Sequence, residues 1–273
     1  MPSAVTLRCP PEEADLLLAA CLDFDTSGVE QNDSGLVAHF ESRQEAERFA
    51  REFYHYSAVT HEIPPRNWAE EWQQQWRPSL VGRSFYLSPP WNREPAPQGR
   101  IVLEMRPGLV FGGGDHPTTQ LCLGFLEDHV GEGITVADIG CGSGILGDAA
   151  LKLGAGRVVA CDIEFAAAEA ARTVLHGAAV YCGSVDALKP AAAGLIVANL
   201  LTGVVAALLP RFAAVLPPGG KLILSGFLVE HIEAIDSRAE AQGLRLVEGR
   251  TQGDWAASVY VADPIRAAGP VMA

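Results

Sequence analysis

The sequence predicts an α/β protein in which a doubly wound, mostly parallel sheet follows a small α+β unit. From residue 101 onward the chain alternates between apolar strand segments and helical segments, as parallel sheets do. The strand segments lie near residues 134–139, 157–162, 178–182, 194–199 and 220–226. The last two, 244–249 and 256–262, are separated by a turn too short for a crossover helix, so they must pair antiparallel. We therefore expect a Rossmann-like sheet that ends in an antiparallel hairpin.

The first part of the chain, residues 1–62, predicts a separate small domain. Its pattern gives a strand, a helix, two strands, a helix and a final strand. These lie at residues 4–8, 11–22, 28–31, 36–40, 43–54 and 58–63. This βαββαβ order is ferredoxin-like, and Asn32 to Gly35 supply the turn between the two middle strands. Such a unit is a candidate for substrate recognition, with a purely structural extension as the alternative.

Residues 63–100 are predicted to link this domain to the main domain at 101–273. Trp68, Trp72 and Trp76 are four residues apart, so they fall on one face of a predicted helix. Packing in a core is the favoured role of this stripe, ahead of stacking on a ligand. The rest of the linker is rich in proline and aromatic residues and contains a short strand near 84–87.

Composition limits the possible partners. The 273 residues are 48% apolar, which is ample for a buried core, and the net charge is −13. An acidic chain is poorly suited to broad contact with nucleic-acid phosphates, so no direct nucleic-acid partner is expected. The same acidity is also explained by solubility alone.

The cysteines and the hydropathy pattern predict a cytoplasmic protein without metal. The six cysteines include no C-x-x-C pair, so neither a zinc site nor a disulfide framework is indicated. The N-terminus lacks a basic start followed by an apolar stretch. No segment approaches the roughly 18 apolar residues of a membrane span. No membrane association is therefore expected.

A glycine-rich turn carries the strongest functional signal. Residues 136–144 read VADIGCGSG, in which a buried strand runs into a turn and the chain then becomes helical. Gly140, Gly142 and Gly144 would let a ligand approach the backbone closely. Asp162 ends the next strand, where a carboxylate can accept hydrogen bonds from both hydroxyls of a ribose. The pattern predicts a site for a nucleoside-containing cofactor.

The spacing of the turn distinguishes between two cofactors. Dinucleotide sites need G-x-G-x-x-G, whereas this chain has D-x-G-x-G-x-G, with Asp138 where it would repel a phosphate. A ligand with an ammonium and a sulfonium but no phosphate suits such a strand end. We therefore expect S-adenosylmethionine, with Asp138 among the residues of its site.

Two further features lie near the same expected edge of the sheet. Asn199 ends the fourth strand of the main domain and needs hydrogen-bond partners, which either a substrate or a helix cap could supply. Residues 111–119 contain three consecutive glycines and predict either a lid or a solvated loop, in which Thr118 or Thr119 caps the next helix. His116 is interpreted as structural rather than catalytic. Asp115 could act as a base only if this loop folds over the site.

One loop, residues 105–119, reads MRPGLVFGGGDHPTT. It is similar to the DPGLAFGTGTHPTT loop of the ribosomal protein L-eleven methyltransferases, the PrmA family of class I S-adenosylmethionine-dependent enzymes. The resemblance continues, in order, through GCGSGIL, ALKLGA, NLL, PGG and SGFL, and it includes WAEEW and SPPW in the linker. It covers the main domain and the linker, and an antiparallel final hairpin is also typical of class I methyltransferases.

The resemblance implies an enzyme that methylates amino groups of a ribosomal protein, on lysine side chains, the N-terminal amine or both. By position, Thr119, Gly140, Asp162 and Asn199 would contact the cofactor or its transferring methyl group, and Asn199 is the expected catalytic residue. The family's Thr-Gly-Thr is Gly-Gly-Asp at 113–115, and its Asn-Ile-Leu is Asn-Leu-Leu at 199–201. The altered loop leaves two alternatives: methylation of another protein lysine or a small amine, or cofactor binding without catalysis.

Overall fold

The computed structural model describes residues 2–21, 24–32, 35–62, 77–92, 94–105 and 114–263. The chain divides into two compact units, Met1–Trp76 and Arg77–Ala273. The predicted tryptophan-bearing helix lies outside the described residues.

The first unit contains the predicted βαββαβ order. Its elements are β1 (Ser3–Arg8), α1 (Pro11–Cys21), β2 (Gly28–Asn32), β3 (Gly35–Phe40), α2 (Arg43–Glu52) and β4 (Val59–Glu62). The strands form an antiparallel sheet in the order β2-β3-β1-β4. Alternate residues of β1 and β3, such as Val5 and Leu36, bury their side chains against Phe49 of α2. This unit therefore has a hydrophobic core of its own.

The second unit begins with a small sheet of three strands. They are β5 (Ser79–Val81), β6 (Phe85–Ser88) and β7 (Ile101–Glu104), with β6 in the middle. Phe85 and Leu87 on β6 are fully buried. The predicted linker of residues 63–100 thus contributes two strands to the second unit, because β6 pairs with β7 along its whole length.

The main sheet has seven strands in the order β10-β9-β8-β11-β12-β14-β13. The strands are β8 (Thr135–Ile139), β9 (Arg157–Asp162), β10 (Ala179–Cys182), β11 (Leu195–Asn199), β12 (Lys221–Leu228), β13 (Leu244–Gln252) and β14 (Trp255–Ala262). Strands β8 to β12 are parallel, and β14 runs antiparallel to both of its neighbours. The predicted doubly wound sheet with a final antiparallel hairpin is confirmed.

Five helices pack against this sheet: α3 (Pro117–His129), α4 (Ile145–Lys152), α5 (Phe165–Val174), α6 (Thr202–Val215) and α7 (Ile232–Glu240). The strand order reverses at β8, which lies between β9 and β11. In open α/β sheets a ligand crevice forms at the carboxyl ends of the strands beside such a reversal. The sheet therefore places the turns after β8, β9 and β11 around one site.

Within the described ranges, no helix is long and apolar enough to cross a membrane, and no group of three metal-ligating side chains occurs. All six cysteines are free thiols.

Candidate active site

A cavity of about 500 Å³ opens at the carboxyl ends of β8, β9 and β11. Five of the seven residues that the sequence assigns to the cofactor site line it: Thr119, Gly140, Gly142, Asp162 and Asn199. Asp138 and Gly144 do not line it. The fold thus brings together residues that lie up to 80 positions apart in the chain, Asn199 and Thr119 being bonded to each other.

The glycine-rich turn has the conformation that its sequence predicts. Gly140, Gly142 and Gly144 have φ angles of 73°, 50° and 83°, in the left-handed region that favours glycine. Gly144 caps the amino end of α4, and a Cβ there would lie 3.2 Å from the Cα of Ala171 on α5. Gly144 therefore allows two helices to approach, whereas Gly140 and Gly142 face the cavity.

Asp162 is fixed in place by the backbone around it. Its Oδ2 accepts a hydrogen bond from the Gly142 N–H at 3.0 Å, and its Oδ1 accepts one from the Glu164 N–H at 3.0 Å. Each carboxylate oxygen can accept a second hydrogen bond. The carboxylate is therefore oriented in advance and keeps acceptor capacity for two hydroxyl groups.

Asp138 lies inside the protein, close to the glycine-rich turn. It is fully buried, and its Oδ2 accepts a hydrogen bond from the Gly147 N–H at 2.8 Å. Among the described residues, its Oδ1 has no hydrogen-bond partner. Burial raises the pKa of this carboxyl to about 7, and the neighbouring charge of Asp162 adds to the effect. Asp138 thus supports the turn from within and does not line the cavity.

Asn199 combines one satisfied and one unsatisfied polar atom. Its Nδ2 donates to Thr119 Oγ1 at 3.3 Å, while its buried Oδ1 has no partner in the described part of the chain. Helix α6 begins at Thr202 with Leu201 as its N-cap residue and no side-chain capping bond. Because Asn199 takes no part in that cap, the helix-cap alternative is wrong.

His116 caps helix α3. Its Nδ1 accepts a hydrogen bond from the Thr118 N–H at 3.3 Å and lies 2.7 Å from Thr118 Oγ1. The alternative in which Thr118 or Thr119 caps this helix is wrong, because the helix begins at the proline at 117 and both threonines lie within it. The imidazole ring also contacts Trp255 edge-on, with 4.8 Å between ring centroids.

Sequence reasoning assigned no role to Gly226 and Trp255, which also line the cavity. Gly226 lies at a β-bulge between β12 and β14 and has a φ of 92°. A Cβ at this position would meet the Leu200 carbonyl oxygen at 2.0 Å, so no larger residue fits. The SGFL segment contains Gly226 and so carried a sequence signal for it. No local pattern marks Trp255, which lies at the cavity because the hairpin pairs with β12.

The charge around the cavity has one sign. The described segments that line it, residues 116–119, 139–146, 162–167, 183–184, 199–208, 226 and 255, contain no lysine or arginine. They do contain Asp162 and Glu164. Such a cavity attracts a cationic ligand and disfavours a phosphate.

S-adenosylmethionine fits these features. Asp162 offers acceptors for a ribose, the turn at Gly140 lets the ligand approach the backbone, and the acidic surroundings suit a sulfonium and an ammonium. The sheet order and this site define a class I S-adenosylmethionine-dependent methyltransferase.

The chain belongs to the ribosomal protein L11 methyltransferase (PrmA) family, whose sequence model matches residues 27–262. It is 41% identical over 208 residues to the ribosomal protein L11 methyltransferase of Pelotomaculum thermopropionicum, covering 74% of this chain and 68% of that protein. The Prochlorococcus marinus protein of the same name is 34% identical over 265 residues, covering 93% of this chain and 86% of that protein. A crystal structure of ribosomal protein L11 methylase from Lactobacillus delbrueckii subsp. bulgaricus aligns with a TM-score of 0.64 and 30% identity, covering 69% of this chain and 100% of that one. The family resemblance is confirmed.

Proposed function

We propose that this enzyme methylates amino groups of ribosomal protein L11, on lysine side chains, the N-terminal amine or both, and that Asn199 orients the accepting amine. The observation that carries the proposal is the unpartnered Asn199 Oδ1, buried at the cavity. A buried acceptor without a donor is costly, so it favours a ligand that brings an N–H group. The names of the relatives supply the protein substrate.

The chemistry requires a neutral amine held in line with the bond that breaks. When bound, S-adenosylmethionine would supply a methyl group on a sulfonium, so that a carbon–nitrogen bond could form as the carbon–sulfur bond breaks and leaves its electron pair on sulfur. Asn199 accepts one N–H of the amine, which aims the nitrogen lone pair. Thr119 holds the Asn199 amide in that orientation. Positioning of this kind can provide a large part of the rate enhancement.

Cofactor binding is proposed to rest on Asp162, Gly140 and Gly142, with Thr119 and Asn199 close to the transferring methyl group. Asp162 accepts the ribose hydroxyls, and the two glycines contact the ligand through their backbone. Gly144 and Asp138 act indirectly, since they maintain the turn and do not line the cavity.

Proton removal is proposed to need no side-chain base. The single lone pair of His116 Nδ1 is used by the Thr118 N–H and hydroxyl. Asp115 is exposed and does not line the cavity. The desolvating cavity lowers the pKa of an entering ammonium, so the amine loses its proton to solvent before transfer.

The first unit is proposed to recognise the protein substrate. It has its own core, and large apolar side chains such as Tyr54, 76% exposed, and Val59, 51% exposed, are available to a partner. We further propose that the enzyme acts in the cytoplasm and makes no direct contact with nucleic acid. The net charge of −13 supports the second statement.

The test is methyl transfer by the full-length enzyme from labelled S-adenosylmethionine, with purified L11 and, separately, whole-cell protein. We expect one labelled band in the ribosomal fraction, identified as L11 by mass spectrometry, with label on amino groups. Label on another protein or on a small amine would favour the related-enzyme alternative. Cofactor binding with no transfer to any amine would favour the non-catalytic alternative.

The pair Tyr54→Ser and Val59→Ser tests the proposed role of the first unit. These two variants should raise the KM for L11 and leave cofactor affinity unchanged.

A further inference from the structure

An apolar rim borders the side of the cavity that holds Asn199. Leu201 and Val204, at the start of α6, line the cavity and are nevertheless 75% and 43% exposed. Val229, just after β12, is also 43% exposed. Clustered exposed apolar side chains are uncommon on a monomer unless they contact a ligand or partner.

Hydrogen bonds connect the segments that carry these side chains. Thr202 Oγ1 lies 3.4 Å from His231 Nδ1, which connects the first turn of α6 to the 3-10 turn Val229–His231. The Val229 N–H donates to the Asp254 carbonyl oxygen at 2.9 Å, directly before the cavity-lining Trp255. The rim therefore runs from α6 through the 3-10 turn to the start of β14.

The charges along this rim are acidic. Glu230, with 73% of its side chain exposed, lies in the 3-10 turn, and Asp254 is exposed beside Trp255. Residues 199–208, 226–233 and 253–256 contain no lysine or arginine, and His231 is the remaining titratable side chain besides the exposed Glu233. A basic partner would be attracted to this surface and an acidic one repelled.

We propose that this rim, formed by Leu201, Val204, Val229, Glu230 and Asp254, docks the stretch of protein substrate next to the target amine. The proposal rests on the proposed function and specifies its substrate class: a flexible basic segment with an apolar side chain close to the methylated amine. The apolar side chain covers Leu201 and Val229, and the basic residues lie near Glu230 and Asp254.

The charge part is tested by steady-state kinetics of the full-length double variant Glu230→Gln/Asp254→Asn with intact L11. We expect the KM for L11 to rise roughly 10-fold at low salt, with kcat and cofactor Kd unchanged, and the difference to shrink as salt screens the charges. The matched control, Glu132→Gln/Glu240→Gln, removes two exposed carboxylates near the opposite end of the sheet and should leave the KM unchanged.

The apolar part is tested with Leu201→Ser and Val229→Ser against Leu246→Ser on β13, which at 43% is as exposed as Val229 and less exposed than Leu201 at 75%. The two rim variants should raise the KM for L11 at every salt concentration, and the control should not. If the wild type methylates L11 and both sets of rim variants match their controls, the docking proposal is overturned and the proposed function stands. If the wild type does not methylate L11, the proposed function itself fails and the docking proposal falls with it.

Discussion

The two halves of the cavity differ in how well their polar atoms are satisfied. In the half proposed to hold the cofactor, after β8 and β9 and here called the cofactor half, both oxygens of Asp162 are held by backbone N–H groups, and the Gly140 N–H donates to the Cys161 carbonyl at 2.8 Å. In the half proposed to hold the substrate, after β11 and β12 and here called the substrate half, Asn199 Oδ1 is buried and unpartnered within the described structure. The cofactor half therefore has its carboxylate held in place before a ligand binds, whereas Asn199 Oδ1 in the substrate half lacks a donor among the described residues.

This difference shows where binding energy is used. A preorganised carboxylate binds its ligand without reorganisation, which favours affinity. Under the proposed function, the unsatisfied amide oxygen of Asn199 gains its partner only when the amine is in place, which favours the reactive complex. We therefore expect substitution of Asp162 to change the cofactor Kd and substitution of Asn199 to change kcat.

The largest expected effect tests whether the substrate half depends on a close backbone approach. Gly226→Ala should destabilise the protein by more than about 4 kcal/mol, because its Cβ would meet the Leu200 carbonyl oxygen at 2.0 Å. Gly203→Ala, where nothing lies within 4 Å of the added Cβ, should change stability by less than about 1 kcal/mol. Denaturant unfolding measures the stability of both variants. Equal midpoints would show that the backbone beside Asn199 shifts to accept the added methyl group at little cost in stability.

The second prediction tests the cofactor half. Asp162→Ala should weaken S-adenosylmethionine binding by roughly 1.5 to 3 kcal/mol for each ribose hydrogen bond lost. Calorimetry measures this, with Asp186→Ala as the control, because Asp186 is paired with Arg211 at 2.8 Å and does not line the cavity. Unchanged affinity in a folded Asp162→Ala protein would contradict its role.

The third prediction tests the substrate half by its kinetic signature. Asn199→Ala should lower kcat roughly 100-fold, because the amine loses its orienting acceptor. Cofactor Kd and Tm should change little, since Asn199 caps no helix. A variant that is destabilised by about 1 kcal/mol yet fully active would instead indicate a structural role.

The same division explains what the sequence could predict. The cofactor half follows from local patterns, because Gly140, Gly142 and Asp162 lie in consecutive strand-to-turn segments. The substrate half depends on long-range contacts. Asn199 bonds to Thr119 on α3, and Trp255 lines the cavity because the antiparallel hairpin pairs with β12. Local patterns also could not show that Asp138 is buried, because burial of a strand-end carboxylate depends on the elements that pack over it.

Among the described residues, Asp138 Oδ1 is a second buried oxygen without a hydrogen-bond partner, and Asp138 does not line the cavity. The fourth prediction concerns this carboxyl. Burial raises its pKa from 3.8 to about 7, so the folded state binds a proton that the unfolded state releases. Relative to Asp138→Asn, the wild type should therefore lose on the order of 1.4 kcal/mol of stability per pH unit as the pH rises from 3.8 to about 7. Above that pH, no further loss is expected. Unfolding at pH 5 to 8 tests this, with the exposed Asp25→Asn as control. A constant difference between wild type and Asp138→Asn would show that Asp138 is charged throughout.

The smallest expected effect concerns His116, which borders the substrate half and is interpreted as a cap. Asparagine is a good N-cap residue, whereas alanine is not, so His116→Asn should be about 1 kcal/mol more stable than His116→Ala. Both variants lose the edge-on contact with Trp255, so that loss cancels in the comparison. Turnover in both should stay within a few-fold of the wild type, with an unchanged pH profile. A 100-fold loss of kcat in the well-folded His116→Asn enzyme would mean that the substrate half contains a proton acceptor after all, and that orientation by Asn199 is only part of its chemistry.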